Sequence, residues 1–238
     1  RLASARHCMV LTGAGISAES GIRTFRDTME GLWKDFDPAA LATQEGFDAA
    51  PALVTRWYDW RRLGCAQAQP NPGHIALAHI ESALTGRGGA FDLFTQNVDG
   101  LHQRAGSRAV HEVHGSIARW RCTKTGREFD PGPEAFAEFP PPSPWGGLLR
   151  PGVVWFGEIL PQEVLDRAEQ VLDRCDVFLS IGTSSQVYPA AGFMELAAVR
   201  GAFVIEVNPM ETPLTRTAEI SLRGRAGEIM PRLAEAAF

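Results

Sequence analysis

The residues best suited to chemistry in this chain begin with a glycine turn at Thr12–Arg26. Gly13 and Gly15 follow the apolar run His7–Leu11, as in a buried strand that feeds a phosphate-binding loop. Glycines let backbone N–H groups approach a pyrophosphate closely, and a following helix adds its positive end. With Ala18 the two glycines fit the dinucleotide fingerprint G-x-G-x-x-G/A. A tight strand-to-helix turn gives the same pattern, so this stretch alone leaves both interpretations open.

An ordinary dehydrogenase is disfavoured by what comes next. Such enzymes carry an acidic ribose ligand about 20 residues further on, at the end of a second strand. In this chain that region is Glu30–Asp37, a loop-like stretch that contains Gly31 and Trp33 and is followed by Pro38. If the glycine turn binds a nucleotide, its site therefore differs from that of an ordinary dehydrogenase.

Polar side chains follow two further apolar runs, and a histidine lies close behind the first of them. His114 precedes Gly115 and fits either a general base or a structural hydrogen-bonding residue. The carboxyl ends of parallel strands meet at one edge of a sheet, so we expect these groups to share a crevice. The polar residues are Gln96, Asn97 and Asp99 after Phe91–Thr95, and Gly182, Thr183 and Ser184 after Val177–Ile181.

Apolar runs alternate with helical patterns along the chain, which predicts an α/β fold with a doubly wound parallel, Rossmann-like sheet and a smaller inserted lid domain. We expect the nucleotide-binding domain at residues 1–26, 71–115 and 151–238, and the small domain at 27–70 and 116–150. The predicted strands are His7–Leu11, Phe91–Thr95, Val153–Phe156, Val177–Ile181 and Phe203–Val207, and the predicted helices are Gly73–Leu84, Leu160–Arg174, Ala190–Arg200 and Arg225–Phe238.

Composition excludes several classes of protein. The 238 residues carry a net charge of −5, which argues against a nucleic-acid-coating surface. No apolar run approaches the ~20 residues that span a bilayer, and the N-terminus shows no signal-like apolar region. The four cysteines are spread singly, without a C-x-x-C pair. We therefore expect a cytoplasmic protein that binds neither nucleic acid nor membrane.

Six motifs in this order resemble the sirtuin family of NAD-dependent protein deacylases, and within it a bacterial, class III-like member. The resemblance covers nearly the whole chain. The motifs are GAGIS at Gly13–Ser17, GIRTFR at Gly21–Arg26, TQNVDGLHQRAG at Thr95–Gly106, HG at His114–Gly115, RPGVVWFGE at Arg150–Glu158 and GTS at Gly182–Ser184.

The resemblance implies a mechanism and the residues that carry it. Asn97, Asp99 and Ile22 would hold nicotinamide where the acyl-lysine oxygen attacks the ribose, and Phe25 would shield the reactive carbon from water. His114 would act as general base on a ribose hydroxyl that receives the acyl group. The implied NAD-binding residues are Gly13, Ala14, Gly15, Ser17, Ile22, Phe25, Arg26, Gln96, Asn97, Asp99, Gly182, Thr183, Ser184, Asn208 and Ala226.

The substrate side of the resemblance indicates which acyl group is removed. Tyr58 and Arg61 are spaced i to i+3, which places a phenol and a guanidinium on one helix face, where they suit a carboxylate. Family members that remove succinyl, malonyl and glutaryl groups carry this Tyr-x-x-Arg together with a Thr that matches Thr24. The implied acyl-lysine cleft is formed by Val154, Phe156, Gly157 and Glu158.

Three other functions stay open at this stage. The protein could be a plain deacetylase in which Tyr58 and Arg61 play no selective part. It could instead be a module that senses or consumes NAD, and ADP-ribosyl transfer to protein is a third possibility. Intact His114, Asn97 and Asp99 argue against a sensor, and the intact RPGVVWFGE motif argues against simple NAD hydrolysis.

The chain departs from the family at the structural zinc site. Cys122 matches the first of the four usual cysteines, but Thr125 stands where its partner belongs. One thiolate cannot build a tetrahedral site, so we expect no zinc and no other metal. We expect instead that aromatic residues hold the small domain together: Phe129, Phe136, Phe139 and Trp145, beside the run Pro140–Pro142.

Overall fold

The computed structural model describes residues 1–22 and 37–238. The strands are β1 (His7–Thr12), β2 (Ala90–Thr95), β3 (Val110–Glu112), β4 (Gly115–Cys122), β5 (Glu128–Phe129), β6 (Leu149–Val153), β7 (Val177–Ile181), β8 (Phe203–Val207) and β9 (Ile220–Leu222). The main sheet has six parallel strands in the order β3-β2-β1-β7-β8-β9. A second sheet has three antiparallel strands in the order β5-β4-β6.

Helices cover both faces of the parallel sheet. Leu77 and Met230, from α4 and α8, belong to the core on one face. Val171 and Phe193, from α6 and α7, belong to the core on the other. The α-helices are α1 (Pro38–Leu41), α2 (Gln44–Ala49), α3 (Pro51–Gln67), α4 (Pro72–Gly86), α5 (Leu101–Arg104), α6 (Gln162–Leu172), α7 (Gly192–Val199) and α8 (Ala226–Ala237).

The predicted fold class is confirmed, because the sheet is parallel and doubly wound and a second, smaller sheet accompanies it. One predicted strand is wrong. The run Val153–Phe156 does not continue the parallel sheet, since β6 ends at Val153 and pairs antiparallel with β4. A short apolar run fits a buried strand of either sheet, and its periodicity cannot tell the two apart.

A separate core lies between the antiparallel sheet and the helices α2 and α3. Trp57 of α3, Trp120 of β4 and Trp155 after β6 are its largest members, and all three are fully buried. The sequence predicts one small domain at 27–70 and 116–150, and we propose that the described parts of these ranges pack around this core together with Trp155. Residues 27–36 lie outside the described ranges.

The functional crevice is placed by the strand order. Numbered within the parallel sheet alone, the order is 3-2-1-4-5-6, in which the chain winds in opposite directions from the two central strands. These strands are β1 and β7, so the loops after Thr12 and Ile181 open beside each other at the carboxyl edge. Within the described ranges, the structure has no helix long and apolar enough to cross a bilayer.

Candidate active site at the switch point of the sheet

Two glycine turns pack directly on one another at this edge. Gly13 N donates to Ile181 O at 3.0 Å, and Gly15 N donates to Gly182 O at 2.8 Å. A Cβ on Gly15 would lie 2.7 Å from the Gly182 carbonyl oxygen, and Gly182 itself has a φ of +60°. The glycines therefore allow the backbones of the two turns to pack closely together. The N–H groups of Gly13 and Gly15 form hydrogen bonds within the protein. The sequence pattern alone did not reveal this role.

The polar residues after β1 and β2 form a buried hydrogen-bonded network. Ser17 Oγ donates to Asp99 Oδ2 at 2.8 Å. Asn97 Nδ2 donates to Ser17 Oγ and to Gly13 O, each at 3.1 Å. Burial raises the pKa of Asp99, although hydrogen bonds from Leu101 N and Ser17 act in the opposite direction. The structure thus brings Asn97 and Asp99 together with Ser17 at the carboxyl edge of the sheet.

Two buried histidines support this network, and sequence reasoning missed both. His74 Nδ1 accepts from Asn71 N in the capping box that begins α4, so its protonated Nε2 faces Ser17 Oγ at 3.4 Å. His102 Nε2 lies 2.9 Å from Thr12 Oγ1, which itself donates to Thr95 Oγ1. Burial lowers the pKa of His74 to about 4 and that of His102 to about 3. Both rings are therefore neutral at physiological pH.

His114 lies between β3 and β4 with its ring oriented by the backbone. Its Nδ1 lies 3.0 Å from the carbonyl oxygen of Gln96, which can only accept a hydrogen bond, so Nδ1 carries the proton. This tautomer leaves Nε2 as the basic nitrogen. Burial lowers the pKa of His114, and the bond to Gln96 offsets part of that effect. Gln96 Nε2 also donates to Thr183 Oγ1 at 3.0 Å, which ties the histidine to the loop after β7.

The loops after β7 and β8 complete the edge. Asn208 Nδ2 donates to Thr183 O at 2.8 Å. Ala226 is buried at the start of α8, where Gly227 N donates to Glu19 Oε2 at 2.8 Å. Among the other predicted ligands, Ala14 and Ser184 lie on the two glycine turns and are half-buried, and Ile22 packs against the small-domain core. Thr24, Phe25 and Arg26 lie outside the described residues.

The segment after β6 runs past His114. Val154 N donates to His114 O, and Phe156 N donates to Ala42 O, each at 2.9 Å. Gly157 has a φ of +86°, which favours glycine at this bend. Burial tends to raise the pKa of Glu158, but hydrogen bonds from Arg150 and Trp155 N, together with the charges of Arg150 and Arg121, hold that pKa below its ordinary value. Of the predicted cleft residues, Val154 therefore adjoins the candidate base through its backbone N–H.

Tyr58 and Arg61 lie on one face of α3, as their spacing predicted. Tyr58 is 3% exposed, and its hydroxyl accepts a hydrogen bond from Trp155 Nε1 at 3.0 Å. The Arg61 guanidinium carbon lies 5.8 Å from the Tyr58 ring centroid and 4.7 Å from that of Trp57. Burial raises the pKa of Tyr58 to about 12, although Arg61 lowers it, so the phenol stays neutral.

Comparison with known proteins identifies the chain's family. A sequence profile of the Sir2 family matches residues 13–189. The chain belongs to the Sir2 family. Among curated Sir2 relatives it is 52% identical, over 98% of this chain and 92% of the relative, to NAD-dependent protein deacylase 2 of Pyrobaculum aerophilum. It is 48% identical, over 100% of this chain and 96% of the relative, to NAD-dependent protein deacylase 1 of Pseudomonas aeruginosa.

Solved Sir2 structures agree with this assignment. A Sir2 homologue in complex with NAD superposes with a TM-score of 0.91 at 46% identity, over 99% of this chain and 91% of that chain. A Sir2 variant with a deacetylated peptide and 3′-O-acetyl ADP ribose superposes with a TM-score of 0.86 at 31% identity, over 99% and 95% of the two chains.

The region of the Sir2 zinc site has a different donor set in this protein. The hydroxyls of Thr125 and Ser143 lie within hydrogen-bonding reach of the Cys122 thiol, which also donates to Gly146 O at 3.1 Å. One thiol with two hydroxyls does not fit a structural zinc ion. In the two described ranges, no three His, Cys, Asp or Glu side chains are grouped to hold a metal. That the protein is zinc-free stays a prediction.

Aromatic rings fill the space around this region. The Phe136 ring lies 4.7 Å from that of Trp120 and 6.4 Å from those of Phe129 and Phe139, measured between centroids. Trp145 lies 6.4 Å from Phe129. The four aromatic residues that the sequence predicted therefore contact one another and extend the small-domain core.

Proposed function

We propose that this Sir2-family enzyme, an NAD-dependent protein deacylase, removes acidic acyl groups such as succinyl and malonyl from lysine side chains, with some deacetylase activity. One observation carries the proposal: a guanidinium and a neutral phenol, Arg61 and Tyr58, share a helix face beside the segment Trp155–Glu158. A neutral acetyl group carries no negative charge that could pair with the Arg61 guanidinium. A carboxylate matches it, because Arg offers a planar fork of donors and Tyr adds a further one.

The residues at the switch point fit a dinucleotide. The two turns are so close that a Cβ on Gly13 or Gly15 would meet the Gly182–Thr183 backbone, and hydroxyl and amide groups surround them. We propose that the Gly13–Ser17 turn and Thr183 hold the phosphates, that Asn208 binds the adenosine ribose, and that Asn97 and Asp99 bind nicotinamide. The bound NAD supplies the ADP-ribose unit that accepts the acyl group.

His114 has the geometry of the general base. The bond from Nδ1 to Gln96 O fixes the ring, and Nε2 is free to take the proton of the hydroxyl that receives the acyl group. Because burial lowers its pKa, the imidazole is neutral at physiological pH and can accept that proton. Val154 N, bonded to the His114 carbonyl, aligns the cleft segment with the base.

The acyl preference is tested by kcat/KM on matched acetyl-lysine and succinyl-lysine peptides. We expect the parent to prefer succinyl, and we expect Arg61→Met to lower the succinyl-to-acetyl ratio by roughly 10- to 100-fold, as for a lost charge-assisted hydrogen bond. Tyr58→Phe should lower it less. Arg56→Met is the matched control, because Arg56 is an exposed arginine on the same helix. An unaltered ratio in both Tyr58→Phe and Arg61→Met would remove the proposal.

The proposal also covers the cellular location and the binding partners that the sequence predicts. We propose a cytoplasmic enzyme whose partners are acylated lysine side chains of proteins, with NAD as co-substrate. Its net charge of −5 supports the expectation that it does not bind nucleic acid.

A further inference from the structure

Trp155 is held in a single orientation beside the acyl pocket. Its backbone N–H donates to Glu158 Oε2 at 2.8 Å. The Arg150 guanidinium carbon lies 3.3 Å from the centroid of the indole ring, and the Phe47 ring lies 5.4 Å away. The residue is 2% exposed. The indole edge therefore points in a direction fixed by the backbone and by the rings around it.

That edge meets the hydroxyl of Tyr58. An indole N–H can only donate, whereas a phenol both donates and accepts. Trp155 Nε1 donates to the Tyr58 hydroxyl at 3.0 Å, so the acceptor capacity of the phenol is used by the protein. Its O–H proton is then the group that remains for a ligand. Accepting a hydrogen bond also polarises the O–H group and makes it a stronger donor.

We infer that Trp155 is a specificity-determining positioning residue: by donating its indole N–H to the Tyr58 hydroxyl, it presents that hydroxyl as a donor to an acidic acyl group. The inference rests on the proposed preference for acidic acyl groups. It assigns Trp155 no contact with the acyl group itself, since its action passes through Tyr58.

The test compares the parent, Trp155→Phe, Tyr58→Phe and the double variant by the succinyl-to-acetyl ratio of kcat/KM. Phe at position 155 keeps an aromatic ring against Arg150 and Phe47 but deletes the N–H. We expect the ratio to fall about five- to tenfold in Trp155→Phe, mainly through KM for the succinyl peptide. In the Tyr58→Phe background the same change should have no further effect on the ratio.

Control variants distinguish the loss of the Trp155 N–H from a general effect of replacing a tryptophan. Trp60→Phe makes the same substitution at a 48% exposed position of α3 and should keep the parental ratio. If Trp155→Phe does not fold, benzothienylalanine at position 155, which keeps the bicyclic ring without the N–H, is judged by the same criteria. A ratio within twofold of the parent, or effects that add in the double variant, would overturn the inference and leave the proposed function intact. A parent without succinyl preference would overturn both.

Discussion

The buried histidines His74 and His102 make the stability of the protein depend on pH. The ordinary pKa of histidine is about 6.5. Burial lowers the pKa of His102 to about 3 and that of His74 to about 4. Between these values and 6.5, the unfolded chain binds protons that the folded protein does not. The free energy of unfolding therefore falls as the pH falls through this window.

The size of the effect follows from linkage. At pH 5.0 an unfolded histidine is ~97% protonated, whereas folded His102 stays neutral, so this residue lowers the free energy of unfolding by ~2 kcal/mol relative to pH 7.5. The result depends mainly on the unfolded pKa, because the folded value lies well below pH 5. We expect His102→Gln to remove this contribution, since Gln does not titrate and offers an N–H to Thr12.

The assay is urea unfolding at pH 7.5 and pH 5.0. Between the two pH values, His102→Gln should lose ~2 kcal/mol less stability than the parent. His79→Gln, at an exposed position on the same helix as His74, is the matched control substitution. Equal losses in the parent and His102→Gln, or an NMR titration of the His102 ring near pH 6.5, would show that burial does not lower the pKa of His102.

Three further predictions concern the base, the glycine turn and the zinc site. His114→Ala should lower kcat/KM by about 10²–10⁴-fold. Because burial lowers the pKa of His114 below 6.5, the pH–rate profile of the parent should decline only below that pH. A decline that begins above pH 6.5 would contradict the role of His114 as the base. Gly15→Ala places a Cβ 2.7 Å from the Gly182 oxygen, which forces the two glycine turns apart, so KM for NAD should rise about tenfold or more. Gly64→Ala, with open space around it, should not change that KM. Metal analysis should find no stoichiometric zinc, and EDTA should leave Tm unchanged; one zinc per chain would show the prediction to be wrong.

The sequence predicted the elements whose signals are local. Val177–Ile181 and Phe203–Val207 are strands with the predicted bounds, because each is an apolar run bounded by turn residues. The run Val153–Phe156 was misplaced, since a short apolar run carries no information about its partner strand. Tyr58 and Arg61 share a helix face because an i, i+3 spacing allows little else.

Features that depend on distant contacts could not be predicted. A lone histidine gives no signal of burial, so the roles of His74 and His102 emerge only from the rings and hydroxyls around them. The packing of Gly15 on Gly182 joins residues more than 160 positions apart. Nothing in the sequence indicates which group accepts the Trp155 indole N–H, and only the structure places it on the Tyr58 hydroxyl.

We propose that NAD and an acylated lysine side chain react in one crevice beside His114. The decisive measurement is nicotinamide release with and without a succinyl-lysine peptide. We expect release to require the acylated peptide, and one O-acyl-ADP-ribose to form for each nicotinamide. Release at the same rate without the peptide would contradict it.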